Sequence, residues 1–368
     1  MADRTPQQWR IALLDEAQRL EFDLAGVASV DEFPDLRHFA DWITQGRSGE
    51  MQYLARRREH ASSTNATLAP TDDASSTPYL REDIRHVFPW ARSVICCGLL
   101  YNSPYPHSTE CHSATRGWIS RYAWGDDYHA VLLDRMRHLA LFLQEASGET
   151  AARVYVDTGP LVERAYAARA GLGWIGKNTC LIHEEVGSFF FLGALITDLD
   201  IAGDSPLPDR CGSCTRCLEA CPTGALDRPY QMDASRCIAY LNIELRSSVP
   251  EELRPHLGHQ VVGCDICQDV CPWNREAPVT TAPLFQPRSG FFHPELEDLA
   301  AMDEEQFRDR FRGSAVKRVK YRGFLRNVAL AMGNSGLPSF RPTLERLATA
   351  PDEVVVEAAR WALDQLTG

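Results

Sequence analysis

With 368 residues the chain is long enough for two or three domains, each burying its own core. Apolar residues make up 44% and charged residues 24% of it, a balance that excludes a disordered chain. A net charge of −12 argues against indiscriminate binding of nucleic acid, and the longest apolar run, 189–196, is strand-sized and far short of a membrane span.

The opening residues, MADRTPQQWR, carry no apolar export signal, so a cytoplasmic protein with no membrane association is expected, its cysteines working as reduced thiols. Trp9, Leu13, Ala17 and Leu20 fall on one face of a helix over 6–22, and a second short helix is expected around 36–42. Ser, Thr, Ala and Asp crowd 60–78 without periodicity, the pattern of a surface loop. Residues 92–100, RSVICCGLL, read as a buried strand in which Cys96 and Cys97 act as small hydrophobes.

RGWISRYAWGDDYH at 116–129 is dense in aromatic, basic and acidic side chains and leads into a helix over 129–146. A strand over 151–156 then ends at Asp157-Thr158-Gly159-Pro160, ahead of a helix over 161–170. Ligands of open α/β sheets sit beyond the carboxyl ends of strands, which marks Asp157 as a site candidate. The alternative is an aspartate that caps the following helix.

GLGWIGKN at 171–178 satisfies G-x-G-x-x-G literally and nearly satisfies the phosphate-loop pattern. It follows a helix, leads into a strand at CLIHEE, and has Asn178 where a phosphate loop needs Ser or Thr, so neither nucleotide reading holds. There remains a glycine-rich loop able to approach a ligand closely, with Lys177 as a candidate anion contact.

Eight of the chain's twelve cysteines fall between 211 and 271. Cys211, Cys214, Cys217 and Cys221, followed by Pro222, have the C-x₂-C-x₂-C-x₃-C-P spacing of bacterial ferredoxins. Cys237 stands alone, and Cys264, Cys267 and Cys271 repeat the ending before Pro272. In two-cluster ferredoxins the cysteine before proline ligates the other cluster. By that rule Cys211, Cys214, Cys217 and Cys271 hold one 4Fe–4S cluster, and Cys221, Cys237, Cys264 and Cys267 the second. Paired structural zincs and a disulfide framework are the rivals.

Beyond the cysteines, 307–326 carries Arg308, Arg310, Arg312, Lys317, Arg318, Lys320, Arg322 and Arg326 against Asp309 alone. In an acidic protein that run suits a phosphate backbone, though a solvated helix face is the plainer reading. Two short helices, 343–350 and 352–366, close the chain after one near 324–332 and are similar to a HEAT-type pair, which must pack on the rest of the protein.

WGDDYH at 124–129, VDTGPLVERAYAARAGLGWIGKN at 156–178, the double cysteine motif, CIAYLNIELR at 237–246 and RGFLRNVALAMGNSG at 322–336 together resemble the epoxyqueuosine reductases. These are cobalamin- and iron–sulfur-dependent enzymes of queuosine tRNA modification. The resemblance spans nearly the whole chain. It implies an α/β cobalamin- and substrate-binding domain over 1–203, a ferredoxin-like domain with two 4Fe–4S clusters over 204–285, and a basic segment with a HEAT-like helical tail over 286–368. It further implies reduction of epoxyqueuosine to queuosine at a tRNA wobble position, with Asp157 as proton donor. Cobalamin contacts fall by the same likeness on Arg81, Asp157, Gly176, Lys177, Asn178, Asn242 and Glu244, with Asn242 standing where the family has Thr. Contacts to tRNA fall on Asp127, Tyr128, His129, Lys317, Arg318, Lys320, Arg322 and Arg326. An external low-potential electron donor and a monomeric enzyme complete the expectation. Competing functions are a reductive dehalogenase-like corrinoid enzyme acting on a small organohalide, which needs no basic tail, and a ferredoxin-type electron carrier, which needs neither DTGP nor GWIGKN.

Overall fold

The computed structural model describes residues 4–31, 34–57 and 77–366. Most of the loop expected at 60–78 lies outside them. The chain forms two compact units, one of residues 1–98, 132–173 and 192–207, the other of 99–131, 174–191 and 208–368. The expected segments 204–285 and 286–368 thus fall almost wholly within one unit, and the amino-terminal segment is divided between the two.

In the first unit the helix Pro6–Arg19 opens with a capping box: Gln8 N donates to Thr5 Oγ1 and Thr5 N to the Gln8 side chain. Pro6 occupies the first turn, where no N–H is needed. Trp9, Leu13 and Ala17 are buried as their spacing requires, while Leu20 ends the helix.

The sheet has the strand order Leu24–Ser29, Ser93–Leu100, Phe190–Thr197, Ala152–Tyr155. The first pair and the last pair are each antiparallel. All eight residues of Ser93–Leu100 are buried, which accounts for its unbroken apolar run and confirms Cys96 and Cys97 as core. A Cβ on Gly26 would lie 2.1 Å from the Ala170 carbonyl oxygen, so glycine there lets the end of the helix Glu163–Arg169 cross directly over the strand. The antiparallel pairing corrects one expectation: the carboxyl-edge rule of parallel sheets does not place Asp157. A tight turn at the end of the Ala152–Tyr155 strand does.

The second unit is built from short pieces around an aromatic core in which Trp118, Trp124 and Phe292 meet edge to face. The buried Asp265 carboxylate accepts from Trp118 Nε1 at 2.9 Å, Arg121 N at 2.8 Å and Ser120 Oγ. Its tail contains the helices Tyr321–Ser335, Arg341–Leu347 and Glu353–Gln365. Every residue from Gly323 to Gly333 is buried, so the first of these is a central helix. Gly333 permits the crossing, since a Cβ there would meet the Ala362 Cα at 2.7 Å.

Candidate active site

The cysteines sort into two sets. Cys211, Cys214, Cys217 and Cys271 line one cavity of about 220 Å³, together with Lys177, Arg210 and Arg216 and with no carboxylate. Burial pushes the Cys211 and Cys217 thiols up and the Cys271 thiol to about 11. Opposing this, the Lys177 backbone and the Trp174 indole favour the Cys211 thiolate. Trp174 Nε1 is otherwise a buried donor without a partner. In the other set Cys237 feels the charge of Cys221, Cys264 that of Cys237, and Cys267 that of both Cys264 and Cys237. Burial is the main cause that raises Cys237 and Cys264. Among the described residues no three His, Cys, Asp or Glu side chains converge as they would on a single metal ion. Four thiols spaced around a cavity fit a wider body.

Sequence reasoning missed Cys180. Its hydrogen bond is the largest cause raising Cys267, and its charge also reaches Cys237 and Cys271. Only its place two residues after GWIGKN hinted at this.

The GWIGKN loop staples the two cysteine motifs. Lys177 is buried, and its Nζ donates to the Gly212 carbonyl at 2.6 Å and the Cys214 carbonyl at 2.9 Å. Asn178 Nδ2 donates to the Cys267 carbonyl at 3.3 Å, and its Oδ1 accepts from Cys180 N at 3.2 Å. Gly176 is required by the local hairpin, because a Cβ would meet Ile182 Cδ1 at 2.4 Å.

In the first unit Asp157 is exposed and adopts φ +60°, a left-handed conformation costly for a residue with a Cβ and typical of functional turns. Thr158 N donates to the Val156 carbonyl at 2.7 Å, closing the turn. Arg81 clamps it, donating to the Gly159 carbonyl at 2.9 Å and the Tyr53 carbonyl at 3.0 Å. The next helix begins at Glu163 with Val162 as its cap, so Asp157 does not cap it. Burial first, and Asp157 second, push the Glu163 carboxyl to about 7, against its own backbone hydrogen bond, Arg164 and Arg81.

Asp127, Tyr128 and His129 form a second cluster. His129 Nδ1 lies 2.7 Å from Asp127 Oδ1, and this hydrogen bond is the main cause that lowers the Asp127 carboxyl. The Tyr128 ring stacks on Phe191 at 4.3 Å and on His129 at 4.0 Å.

The basic run divides by burial. Lys317, Arg318 and Lys320 are exposed, and Arg318 grips Glu244 with two bonds of 2.8 Å. Arg322 is paired at 3.8 Å with Asp352. Arg326 is only 1% exposed and donates to the carbonyls of Leu241 at 2.6 Å, Leu245 at 3.0 Å and Ser247 at 2.7 Å. Its charge holds the π-helix Tyr240–Glu244 in place, which corrects its reading as a tRNA contact. Asn242 is fully buried, and its amide exchanges bonds of 2.9 and 2.8 Å with the Gly263 backbone.

A family model for a 4Fe-4S double cluster binding domain matches residues 210–274, and one for epoxyqueuosine reductase QueG, DUF1730, matches 81–158. An epoxyqueuosine reductase of Synechocystis sp. is 41% identical over 308 residues, 82% of this chain and 98% of that protein. Another, of Pseudomonas aeruginosa, is 37% identical over 364 residues, 97% of this chain and 94% of that one. A crystal structure of epoxyqueuosine reductase with a tRNA-Tyr epoxyqueuosine-modified stem loop is similar at a TM-score of 0.83 and 30% identity, covering 99% of this chain and 92% of that chain. With the eight thiols in two sets and relatives of this identity aligned over nearly their full length, the chain belongs to the epoxyqueuosine reductase family.

Proposed function

We propose that the chain reduces epoxyqueuosine to queuosine at the wobble position of a tRNA. The observation that carries this reading is the sorting of eight thiols into two sets of four in a chain of this family. Cys211, Cys214, Cys217 and Cys271 would hold one 4Fe–4S cluster and Cys221, Cys237, Cys264 and Cys267 the other. The fit is chemical: Trp174 Nε1 is a buried donor beside Cys211, ready for an anionic sulfur. Arg81, fixed over the turn by its bonds to the Gly159 and Tyr53 carbonyls, and the exposed Asp157 carboxyl suit the polar fringe of a cobalamin. When bound, these groups deliver two low-potential electrons from an external donor to the epoxide.

The chain's own residues position substrate and protons. Asp157 protonates the departing oxygen, since an alkoxide leaves poorly. Its carboxyl is exposed, and the charge it carries is one cause of the raised Glu163 carboxyl. Lys317, Lys320 and Arg322 hold phosphates, while Asp127, Tyr128 and His129 face the modified loop. The enzyme works as a cytoplasmic monomer in this reading.

Asp157→Asn tests it. The variant keeps shape and polarity but has no proton to give, so single-turnover reduction of epoxyqueuosine tRNA falls on the order of 10²-fold or more, with iron content and tRNA affinity retained. Parent-like turnover would remove Asp157 from the mechanism.

A further inference from the structure

Opening an epoxide to an alkene breaks two C–O bonds, forms one C=C bond and releases the oxygen as water. It takes two electrons, from the low-potential donor, and two protons. Asp157 holds one proton at a time. We propose that Glu163 is the second acid of this reaction, the store from which Asp157 is reprotonated within a turnover. This rests on the reading of Asp157 given above.

The geometry is specific. Glu163 opens its helix, and its Oε1 is buried with no hydrogen-bond partner among the described residues. A glutamate kept for structure would be met by the neighbouring cation, yet Arg81 directs two of its N–H groups at the carbonyls of Gly159 and Tyr53. Asp157 and Glu163 flank one closely packed turn: a Cβ on Gly159 would meet Leu161 Cδ2 at 2.4 Å and Tyr155 Cβ at 2.8 Å. Asp157 itself is held at φ +60°.

Electrostatics act in the same direction. The charged and titratable groups around Glu163 are Asp157, Arg81, Arg164 and the buried Cys96 thiol. Burial and Asp157 outweigh the two arginines and leave the carboxyl at about 7, so a proton is both held and releasable near neutrality. The like charge of Asp157 favours the protonated form of Glu163, so this acid stays loaded beside an ionised Asp157 and is the proton held nearest to it.

The test compares the parent with Glu163→Gln and Glu163→Asp in the full chain. Infrared difference spectra of the cobalamin-free, substrate-free protein should show a carboxylic acid band that titrates near 7 in the parent and is missing in Glu163→Gln. In the loaded enzyme, the single-turnover rate of the parent should fall as pH rises through the same range. Glu163→Gln should lose that alkaline limb and run about 10-fold slower at neutral pH, while Glu163→Asp, which retains an acid, should recover much of the rate. No titrating band, or a Glu163→Gln profile that follows the parent, overturns the proposal and leaves Asp157 untouched. Parent-like turnover by Asp157→Asn overturns the underlying reading and this proposal with it.

Discussion

Exchanging Arg326 for Met keeps the reach of the side chain and removes its charge, which isolates what a buried guanidinium does in the second unit. In the parent it serves four acceptors: three backbone carbonyls at 2.6 to 3.0 Å and the Asn327 Oδ1 at 3.0 Å. Met leaves all four in a site that water does not reach. Each orphaned acceptor costs about 1–3 kcal/mol. Local relaxation and the removal of a buried charge return part of this, so a net loss of about 4 kcal/mol is expected. That is a large share of the roughly 5–15 kcal/mol that holds a domain folded. Urea unfolding followed by circular dichroism, under anaerobic conditions, should show it as a lowered midpoint with an unchanged slope. At a temperature where the variant is folded, the salt dependence of tRNA binding should match the parent, because this charge never meets a phosphate. Unchanged stability together with a salt slope reduced by about one unit would refute the reasoning and return Arg326 to the interface.

The exposed cations should behave in the opposite way: Lys317→Glu with Lys320→Glu should leave stability nearly unchanged, weaken tRNA binding and flatten its salt dependence by about two units, read from affinities at several salt concentrations. Cys221→Ser should disturb the cluster held by Cys264 and Cys267 more than the one held by its sequence neighbours, seen as selective loss of one of two iron–sulfur signals in electron paramagnetic resonance. His259 and His293 should confer acid sensitivity. Both carry a buried, unpartnered Nε2, and burial chiefly lowers both below the ordinary value of 6.5. The unfolded chain therefore binds protons more readily, so this contribution is intact above about 6.5 and is lost as pH falls below it. Replacing both by Gln should reduce the drop in denaturation midpoint between neutral pH and pH 5.

What could be read from the sequence was what depends on spacing. Cysteine intervals carry their ligand chemistry in one dimension, and the cavity around Cys211, Cys214, Cys217 and Cys271 matches the grouping they imply. The 92–100 strand declared itself by an unbroken apolar run. What could not be read depends on which way a polar side chain turns. Arg326 and Lys320 look alike in a basic run, yet one lies inside on three carbonyls and the other is exposed. Lys177 and Asn178 look like ligand contacts in a glycine loop, but the residues they bind arrive from 35 and 89 positions away. Glu163 gave no signal, since its importance comes from a turn geometry and an unpaired oxygen that only three dimensions reveal.

The central claim is best tested by anaerobic turnover of an epoxyqueuosine-bearing tRNA stem loop, with enzyme reconstituted with iron and sulfide, cobalamin and a low-potential reductant, followed by nucleoside mass analysis. The account predicts conversion of epoxyqueuosine to queuosine, a loss of one oxygen from the nucleoside, only when cobalamin is present. Enzyme that carries its full iron and sulfide and binds the stem loop, yet leaves the epoxide intact, would contradict it.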